Sequence, residues 1–285
     1  MASSCAARMP SIYINHGGGP MPLRGQQPDV AQFLSSYAAT LPEKPTAVLV
    51  VTAHWQAAVT TVSSGASMSL LFDYGGFPPE TYQYKYPASG SPEVASRVCD
   101  LLKGAGLAHA QDVQRGWDHG VFVPMMLMFP KADVPIVQIS LLASQDAAAH
   151  IAVGSALKPL RDEGVLIVGS GVSFHNFQYF FARDDRSRVS GVAHSHTFDE
   201  WLTATLTNPV ATARNAQLAS WDSAPSAREA HPIGAAEHLL PALVVAGAAG
   251  DGPAVKVGSD ANDGGGGEGM AAMLNEFAIS QYEFR

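Results

Sequence analysis

Three histidines of this 285-residue sequence stand shortly after apolar runs that are rich in β-branched residues. His16, His54 and His175 follow residues 11–14, 47–52 and 165–168, respectively. Because the carboxyl ends of parallel strands meet at one edge of an α/β sheet, where ligands gather, we expect the three imidazoles to converge. Imidazole nitrogen binds iron, zinc and copper. The pattern therefore predicts a metal site, although a lone histidine at a strand end is more often a hydrogen-bonded structural residue.

Two further histidines bear on this predicted site. His231 precedes the apolar helical run 233–240 and could enter from the far side. His119 lies in a turn that we expect to be exposed, before another apolar helical stretch, where Asp118 fits an N-cap. Spacing alone favours a functional and a structural role for His119 equally. The other histidines lack such a context and are interpreted as structural or solvated: His109 in a loop, His150 and His238 on helices, and His194 and His196 at a polar helix start.

The elements that would position these histidines alternate along the chain. Apolar runs typical of buried strands occur at 11–14, 47–52, 135–141 and 165–168. Helical spacing occurs at 30–37, and a second helix is predicted to begin at Ser91–Pro92 and to end at Gly104. Alternating strands and helices predict an α/β fold with a central mixed, partly parallel sheet flanked by helices. The metal site is then expected at the carboxyl ends of the strands.

We expect one domain over residues 11–285, preceded by a tail over residues 1–10. Within it, residues 260–269 include four consecutive glycines and predict a flexible surface loop. Residues 72–86 are rich in aromatics, glycine and proline. This segment is longer than a loop that only connects two elements usually is. Small-molecule pockets are lined mainly by hydrophobic and aromatic side chains. We therefore expect this stretch to line a pocket, with Tyr74 and Phe77 contacting the substrate.

Composition narrows the class of partner. The 17 Lys and Arg against 25 Asp and Glu give a formal net charge of −8, which disfavours nucleic acid and anionic membranes and favours a small-molecule substrate. Charged residues make up only 15%, which is compatible with a homo-oligomer. The two cysteines, Cys5 and Cys99, form no disulfide framework or thiolate motif, and no secretory signal or membrane span is apparent. A cytoplasmic protein is expected.

Common catalytic motifs of other classes are missing. The segment 169–173 does not match the G-x-S-x-G nucleophile elbow in register, and the sequence contains no G-x-G-x-x-G, P-loop or H-E-x-x-H. A serine hydrolase and a nucleotide-binding enzyme are therefore poorly supported.

The motifs taken together resemble a known family. They occur in this order along the chain: Asn15-His-Gly-Gly-Gly-Pro20, Thr52-Ala-His-Trp55, Asp73-Tyr-Gly-Gly-Phe-Pro78, Tyr86-Pro-Ala-Ser-Gly-Ser-Pro92, Asp118-His-Gly120, Ser173-Phe-His-Asn176, Arg228-Glu-Ala-His-Pro232 and Glu237-His-Leu-Leu-Pro241. This set resembles the DOPA extradiol dioxygenases, a class III ring-opening family related to the catalytic subunit of protocatechuate 4,5-dioxygenase. The resemblance runs from about Ser11 to the C-terminus.

The resemblance implies roles for five histidines. His16, His54 and His231 would hold a single non-haem metal. His175 would act as acid/base or as a fourth ligand, and His119 would line the pocket opposite the substrate. Fe(II) is the implied active metal, with Zn(II) expected in the isolated protein because imidazole also binds zinc well. The implied reaction uses O₂ to open a catechol, such as a DOPA-like compound, to a muconic semialdehyde, with His175 transferring protons near neutral pH.

Three alternatives stay open from the sequence. Glu229 is a carboxylate that could replace His231 as a ligand, although it fits the motif less well. A Memo-like protein of the same fold would use the cleft for binding without catalysis. A zinc hydrolase would use the same histidines to activate water.

Overall fold

The computed structural model describes residues 7–259 and 276–285. The predicted glycine-rich loop at 260–269 and most of the predicted tail lie outside these ranges. Within them the strands are β1 (Ser11–Asn15), β2 (Ala47–Ala57), β3 (Thr60–Ser63), β4 (His109–Asp112), β5 (Ile136–Leu142), β6 (Val165–Gly171), β7 (Val255–Ser259) and β8 (Ser280–Phe284). The α-helices are α1 (Pro28–Tyr37), α2 (Pro92–Gly104), α3 (His119–Met128), α4 (Ala147–Leu157), α5 (Pro159–Asp162), α6 (Phe177–Phe180), α7 (Asp185–Leu206), α8 (Ala211–Ala219), α9 (Ala227–Ala230) and α10 (Leu240–Ala249).

The strands form one mixed sheet in the order β4-β3-β5-β2-β6-β1-β8-β7. The four central strands, β5, β2, β6 and β1, are mutually parallel, whereas β8 and β3 join them in the antiparallel sense. The α/β prediction with a partly parallel sheet is confirmed. The four runs predicted from the sequence are the four central strands, because strands buried on both faces consist of continuous apolar residues.

Helices cover both faces of the sheet. Successive residues of β2 alternate between the two resulting cores: Leu49 and Val51 pack into one, and Val48 and Val50 into the other. This alternation follows from the twofold repeat of a strand. The first core contains α4 and α10, and the second contains α1 and α3. The carboxyl ends of the central strands are left to open into a cavity.

Local signals mark both ends of α2 correctly. Ser91 is the N-cap of α2, where its Oγ accepts a hydrogen bond from the Val94 backbone N–H at 3.2 Å, and the helix ends at Gly104. All ten residues of α10, Leu240–Ala249, are buried. No helix in the described ranges is long and apolar enough to cross a membrane.

Three placements differ from the sequence predictions. His109 begins β4 rather than lying in a loop, and His194 and His196 lie within α7 rather than at its start. His238 lies in the turn before α10, not on a helix. The strands β3, β4, β7 and β8 were not predicted, because they are short and mix polar with apolar residues. Pairing with neighbouring strands of the sheet makes them strands.

Candidate metal centre and substrate cavity

The ends of three central strands deliver the predicted histidines to one region. His16 directly follows β1, and His175 follows β6 by four residues. His54 lies inside β2, whose pairing with β5 shifts register between Val51 and Gln56. Such an irregularity re-aims side chains near the end of a strand. The bulge therefore brings His54 to the same edge of the sheet as His16.

The glycines after His16 allow a sharp turn away from the sheet. Gly17 and Gly19 have φ values of +80° and +56°, in the left-handed region that glycine adopts without penalty. The Asn15 side chain accepts a hydrogen bond from the Gly17 backbone N–H at 2.8 Å. A Cβ at Gly17 would lie 2.4 Å from Pro22 Cγ, so no other residue fits. The turn holds His16 at the strand end.

Hydrogen bonding determines which nitrogen of His16 is free. The Ser170 hydroxyl donates to the Gly120 carbonyl, and Ser170 Oγ therefore accepts from His16 Nδ1, 2.9 Å away. The proton lies on Nδ1, and the lone pair lies on Nε2. His16 Nε2 is 3.2 Å from His54 Nε2. This is the second-sphere support typical of metal-binding imidazoles.

His238 faces the same point as His16 and His54. The ring centroids of His16, His54 and His238 form a nearly equilateral triangle, with separations of 5.0, 5.0 and 5.4 Å. His238 Nδ1 lies 3.0 Å from Glu237 Oε1, which leaves its Nε2 free. His238, predicted from the sequence to be structural or solvated, is instead a buried residue of the cavity lining.

His231 lies apart from this group. Its Nε2 donates to the Ser173 carbonyl at 2.9 Å, and its ring packs edge-on against Phe198 and Trp221. The cavity lining in the described ranges does not include His231. The structure thus does not bring His231 to the predicted metal position, because the turn at 232–239 places the ring of His238, seven residues later, there instead. Glu229 does not line the cavity either.

His119 is buried at the first position of α3 rather than in an exposed turn. Its ligand atom lies within 4.8 Å of those of His16 and His54, so these three histidines could also hold a metal ion. Its ring is 4.0 Å from that of His54, centroid to centroid. His119 Nδ1 lies 2.9 Å from Asp73 Oδ1, which also accepts from the His119 backbone N–H at 2.9 Å.

Asp118 occupies the N-cap position of α3, as the sequence suggested, but its side chain makes no capping hydrogen bond. Its fully buried carboxylate accepts hydrogen bonds from Thr52 Oγ1 at 2.7 Å and from Arg115 Nη2 at 3.3 Å. The same Arg115 nitrogen donates to the His54 carbonyl at 2.9 Å. Asp118 therefore braces the segment of β2 that carries His54.

Burial keeps the clustered imidazoles neutral. Desolvation, followed by the neighbouring His119, lowers the pKa of His54 to about 3 and that of His175 to about 4. Desolvation also holds the pKa values of His16 and His238 well below the ordinary value. These groups are neutral at pH 7 and can offer lone pairs. The expectation that His175 titrates near neutral pH is wrong, because the ring is largely removed from water.

A cavity of about 750 Å³ opens above the histidines. Its apolar wall contains Tyr74, Phe77, Phe177, Phe180 and Phe181, and its polar lining includes Arg24, Gln26 and Gln27. Tyr74 and Phe77 contact each other edge to face, with centroids 5.5 Å apart. Both predicted substrate residues thus line the cavity. A volume of this size accommodates a single-ring aromatic compound.

Sequence reasoning missed His238, Glu237 and Asp73 as site residues. His175, Glu237 and His238 form a second group of ligating atoms within 4.8 Å of one another. The signal that could have found Glu237 and His238 was the motif Glu237-His-Leu-Leu-Pro241, which carries two groups able to bind protons or metals at one turn.

Known proteins match this chain over most of its length. Residues 4–266 match the family described as the catalytic LigB subunit of aromatic ring-opening dioxygenase. The chain is 40% identical over 267 residues to the dioxygenase tasH of Hapsidospora irregularis, covering 87% of this chain and 80% of that protein. It is 38% identical over 259 residues to the 4,5-DOPA dioxygenase extradiol of Beta vulgaris, covering 90% and 92%, respectively.

A solved structure of an uncharacterized Escherichia coli K12 protein has the same fold. The match covers 98% of this chain and 100% of that chain, with a TM-score of 0.72 and 28% identity. The sequence matches, the fold and the cluster of imidazoles all point to the same family. The chain belongs to the LigB family of aromatic ring-opening dioxygenases, and it is an oxidative enzyme of the extradiol ring-cleaving type.

Proposed function

We propose that this enzyme uses a non-haem Fe(II) ion and O₂ to open a DOPA-like catechol to a muconic semialdehyde. The observation that carries the proposal is a cluster of neutral imidazoles with free Nε2 atoms at one end of an aromatic-walled cavity. Relatives named 4,5-DOPA dioxygenase extradiol support the substrate class.

The proposed metal ligands are His16, His54 and His238. Imidazoles bound tetrahedrally at about 2.0–2.1 Å would have nitrogens about 3.3 Å apart and ring centroids about 5 Å apart. The 3.2 Å between the Nε2 atoms of His16 and His54 and the near-equilateral ring triangle fit these values. His54 and His119, at 4.0 Å, are closer than two ligands of one ion, so we assign His119 to the cavity instead.

When bound, Fe(II) would supply the redox chemistry that joins O₂ to a chelated catechol, and Zn(II) would occupy the same nitrogens without that chemistry. The protein must receive the proton that the catechol loses on binding. His175 lines the cavity beside His238 and is neutral, so its ring is the proposed proton acceptor. His119, whose ring is hydrogen-bonded to Asp73, is proposed to make a polar contact with the substrate in addition to that of His175.

The apolar wall has a separate role. Tyr74 and Phe77 would form one apolar wall against the flat ring and keep bulk water away from the reacting carbons. The Tyr74 hydroxyl donates to the Thr81 carbonyl at 2.6 Å, so this side chain offers the substrate its ring rather than its hydroxyl.

The test is anaerobic loading of the metal-free protein with Fe(II), followed by a catechol panel that includes DOPA, with oxygen uptake and the yellow ring-opened product as readouts. One O₂ should be consumed per product, and protein loaded with Zn(II) should be inactive. Zinc-dependent cleavage of esters or amides without oxygen uptake would instead favour the hydrolase. Absence of turnover with any catechol would overturn the proposed substrate class.

A further inference from the structure

The carboxylate of Asp73 lies against two of the clustered histidines. Its Oδ1 accepts from both the ring Nδ1 and the backbone N–H of His119, each at 2.9 Å. Its Oδ2 is 3.6 Å from His54 Nδ1, longer than a hydrogen bond, so the carboxylate faces this ring nitrogen without bonding to it directly. The side chain is 19% exposed, so water screens these contacts only in part.

Asp73 also belongs to the aromatic segment that walls the cavity. Its backbone N–H donates to the Leu71 carbonyl at 3.0 Å, and the Leu71 N–H donates to the Trp117 carbonyl at 2.7 Å. The next residue, Tyr74, packs at 5.9 Å from the ring of His119. One residue therefore ties the substrate wall to the histidine cluster.

The position of the carboxylate decides its role. It meets His54 and His119 at their Nδ1 atoms, whereas His54 faces His16 through Nε2. A ligand of the proposed metal would have to lie on the Nε2 side. Asp73 is therefore an acceptor that holds the His119 proton on Nδ1, and its carboxylate favours an Nδ1 proton on His54 because that nitrogen faces it.

We propose that Asp73 is a positioning residue that fixes the tautomer and orientation of His54 and His119 together. Its carboxylate thereby raises the affinity of the protein for the metal ion. It also holds the aromatic wall in place beside the histidines. The metal part of this inference rests on the proposed function. The tautomer part does not, because it concerns the metal-free protein.

The experiment compares Asp73→Ala and Asp73→Asn with the wild type. Metal affinity is measured by competition between the protein and a chelator for Zn(II) and Co(II), without any substrate. Asp73→Ala should weaken binding by about 10–100-fold, the effect usual for removal of a second-sphere partner. Asp73→Asn keeps an acceptor oxygen without the charge and should lose less. Asp133→Asn, which removes a carboxylate from an exposed ion pair with Lys44, is the matched control and should bind metal normally.

The tautomers are read separately by ¹⁵N NMR of the histidine rings in the metal-free protein. His119 should carry its proton on Nδ1 in the wild type and should lose this preference in Asp73→Ala. The thermal unfolding of the metal-free variants shows whether they fold. A folded Asp73→Ala protein with unchanged metal affinity and unchanged tautomers would overturn the inference. Failure of the proposed function would appear differently, as wild-type protein that binds metal but turns over no catechol.

Discussion

The rings of His175 and His238 are stacked, with centroids 3.5 Å apart and an interplanar angle of 19°. Glu237 Oε1 lies 3.0 Å from His238 Nδ1 and 3.9 Å from His175 Nδ1. The proposed metal ligand His238 and the proposed proton acceptor His175 therefore pack face to face, and the carboxylate of Glu237 lies near both. Substitutions at His175 must separate the loss of proton transfer from the loss of a flat partner for His238.

Replacing His175 with phenylalanine keeps a flat ring and removes both nitrogens. We expect His175→Phe to lower turnover by about 10²–10⁴-fold, the usual contribution of a positioned acid or base. Metal content, measured by elemental analysis, should stay at the wild-type value. His175→Ala should lower both, because His238 loses its stacking partner. Loss of metal from the phenylalanine variant as well would identify His175 as the fourth ligand.

His238→Ala and His231→Ala should have opposite effects. Removing His238 should abolish stoichiometric metal binding, whereas removing His231 should leave it intact. His231 fills a space between Phe198 and Trp221, so its loss should lower the free energy of unfolding by on the order of 2–4 kcal/mol. Metal titration and denaturant unfolding measure the two quantities. Retention of metal in His238→Ala together with its loss in His231→Ala would restore the ligand set expected from the sequence.

The aromatic wall should control which catechols are accepted. Phe77→Ala and Tyr74→Ala should change the relative kcat/KM values across a catechol panel, because each removes an apolar face from the cavity. Tyr74→Phe is the matched control, since it loses only the hydrogen bond to the Thr81 carbonyl. Metal content should be unchanged in all three variants. If the alanine variants lose stability while selectivity stays the same, these rings merely pack the loop.

Gly171 sets the approach of β6 to the turn that carries His238. A Cβ at this position would lie 2.0 Å from the His238 carbonyl oxygen, which also accepts from the Tyr13 hydroxyl at 2.7 Å. Gly171→Ala should therefore destabilise the protein by about 1–3 kcal/mol and should weaken metal binding by displacing His238. Gly104→Ala is the control, because nothing lies within 4 Å of its added Cβ. A Gly171→Ala protein with wild-type stability and metal affinity would contradict this packing argument.

His150 should contribute to the acid sensitivity of folding. Its Nε2 accepts from the Leu142 backbone N–H at 3.0 Å, and Nδ1 lies 2.6 Å from the Asp146 carbonyl. Burial lowers the pKa of His150, so below its ordinary value of 6.5 the unfolded chain binds the proton more readily. The stability from the neutral ring is complete above about pH 6.5 and declines as the pH falls through the window below it.

The variant His150→Leu tests this contribution. It should be less stable than the wild type at pH 7.5, because the Leu142 N–H loses its acceptor, yet it should lose less of its stability between pH 7.5 and pH 5. Urea unfolding of the metal-free proteins at both pH values provides the comparison. Equal losses in the two proteins would show that His150 titrates alike in the folded and unfolded chains. The other buried histidines stay in place and cancel between the two proteins.

Local patterns in the sequence determined much of the molecule. The continuous apolar runs specified the four central strands, since only a strand covered on both faces has that composition. The convergence of His16, His54 and His175 followed from the rule that parallel strands end at one edge. The aromatic composition of residues 72–86 likewise indicated a cavity wall, and Tyr74 and Phe77 lie in it.

Tertiary structure alone decided which of two nearby histidines faces the cavity. His231 and His238 both lie close to one turn, and their spacing does not say on which side each ring falls. The close contact of Gly171 with the His238 carbonyl and the pocket formed by Phe198 and Trp221 around His231 make that choice. Tertiary structure also decided the roles of two aspartates. Asp73 contacts the ring of His119, whereas Asp118 accepts a hydrogen bond from Thr52. These contacts join residues far apart in the chain, so no local pattern could encode them.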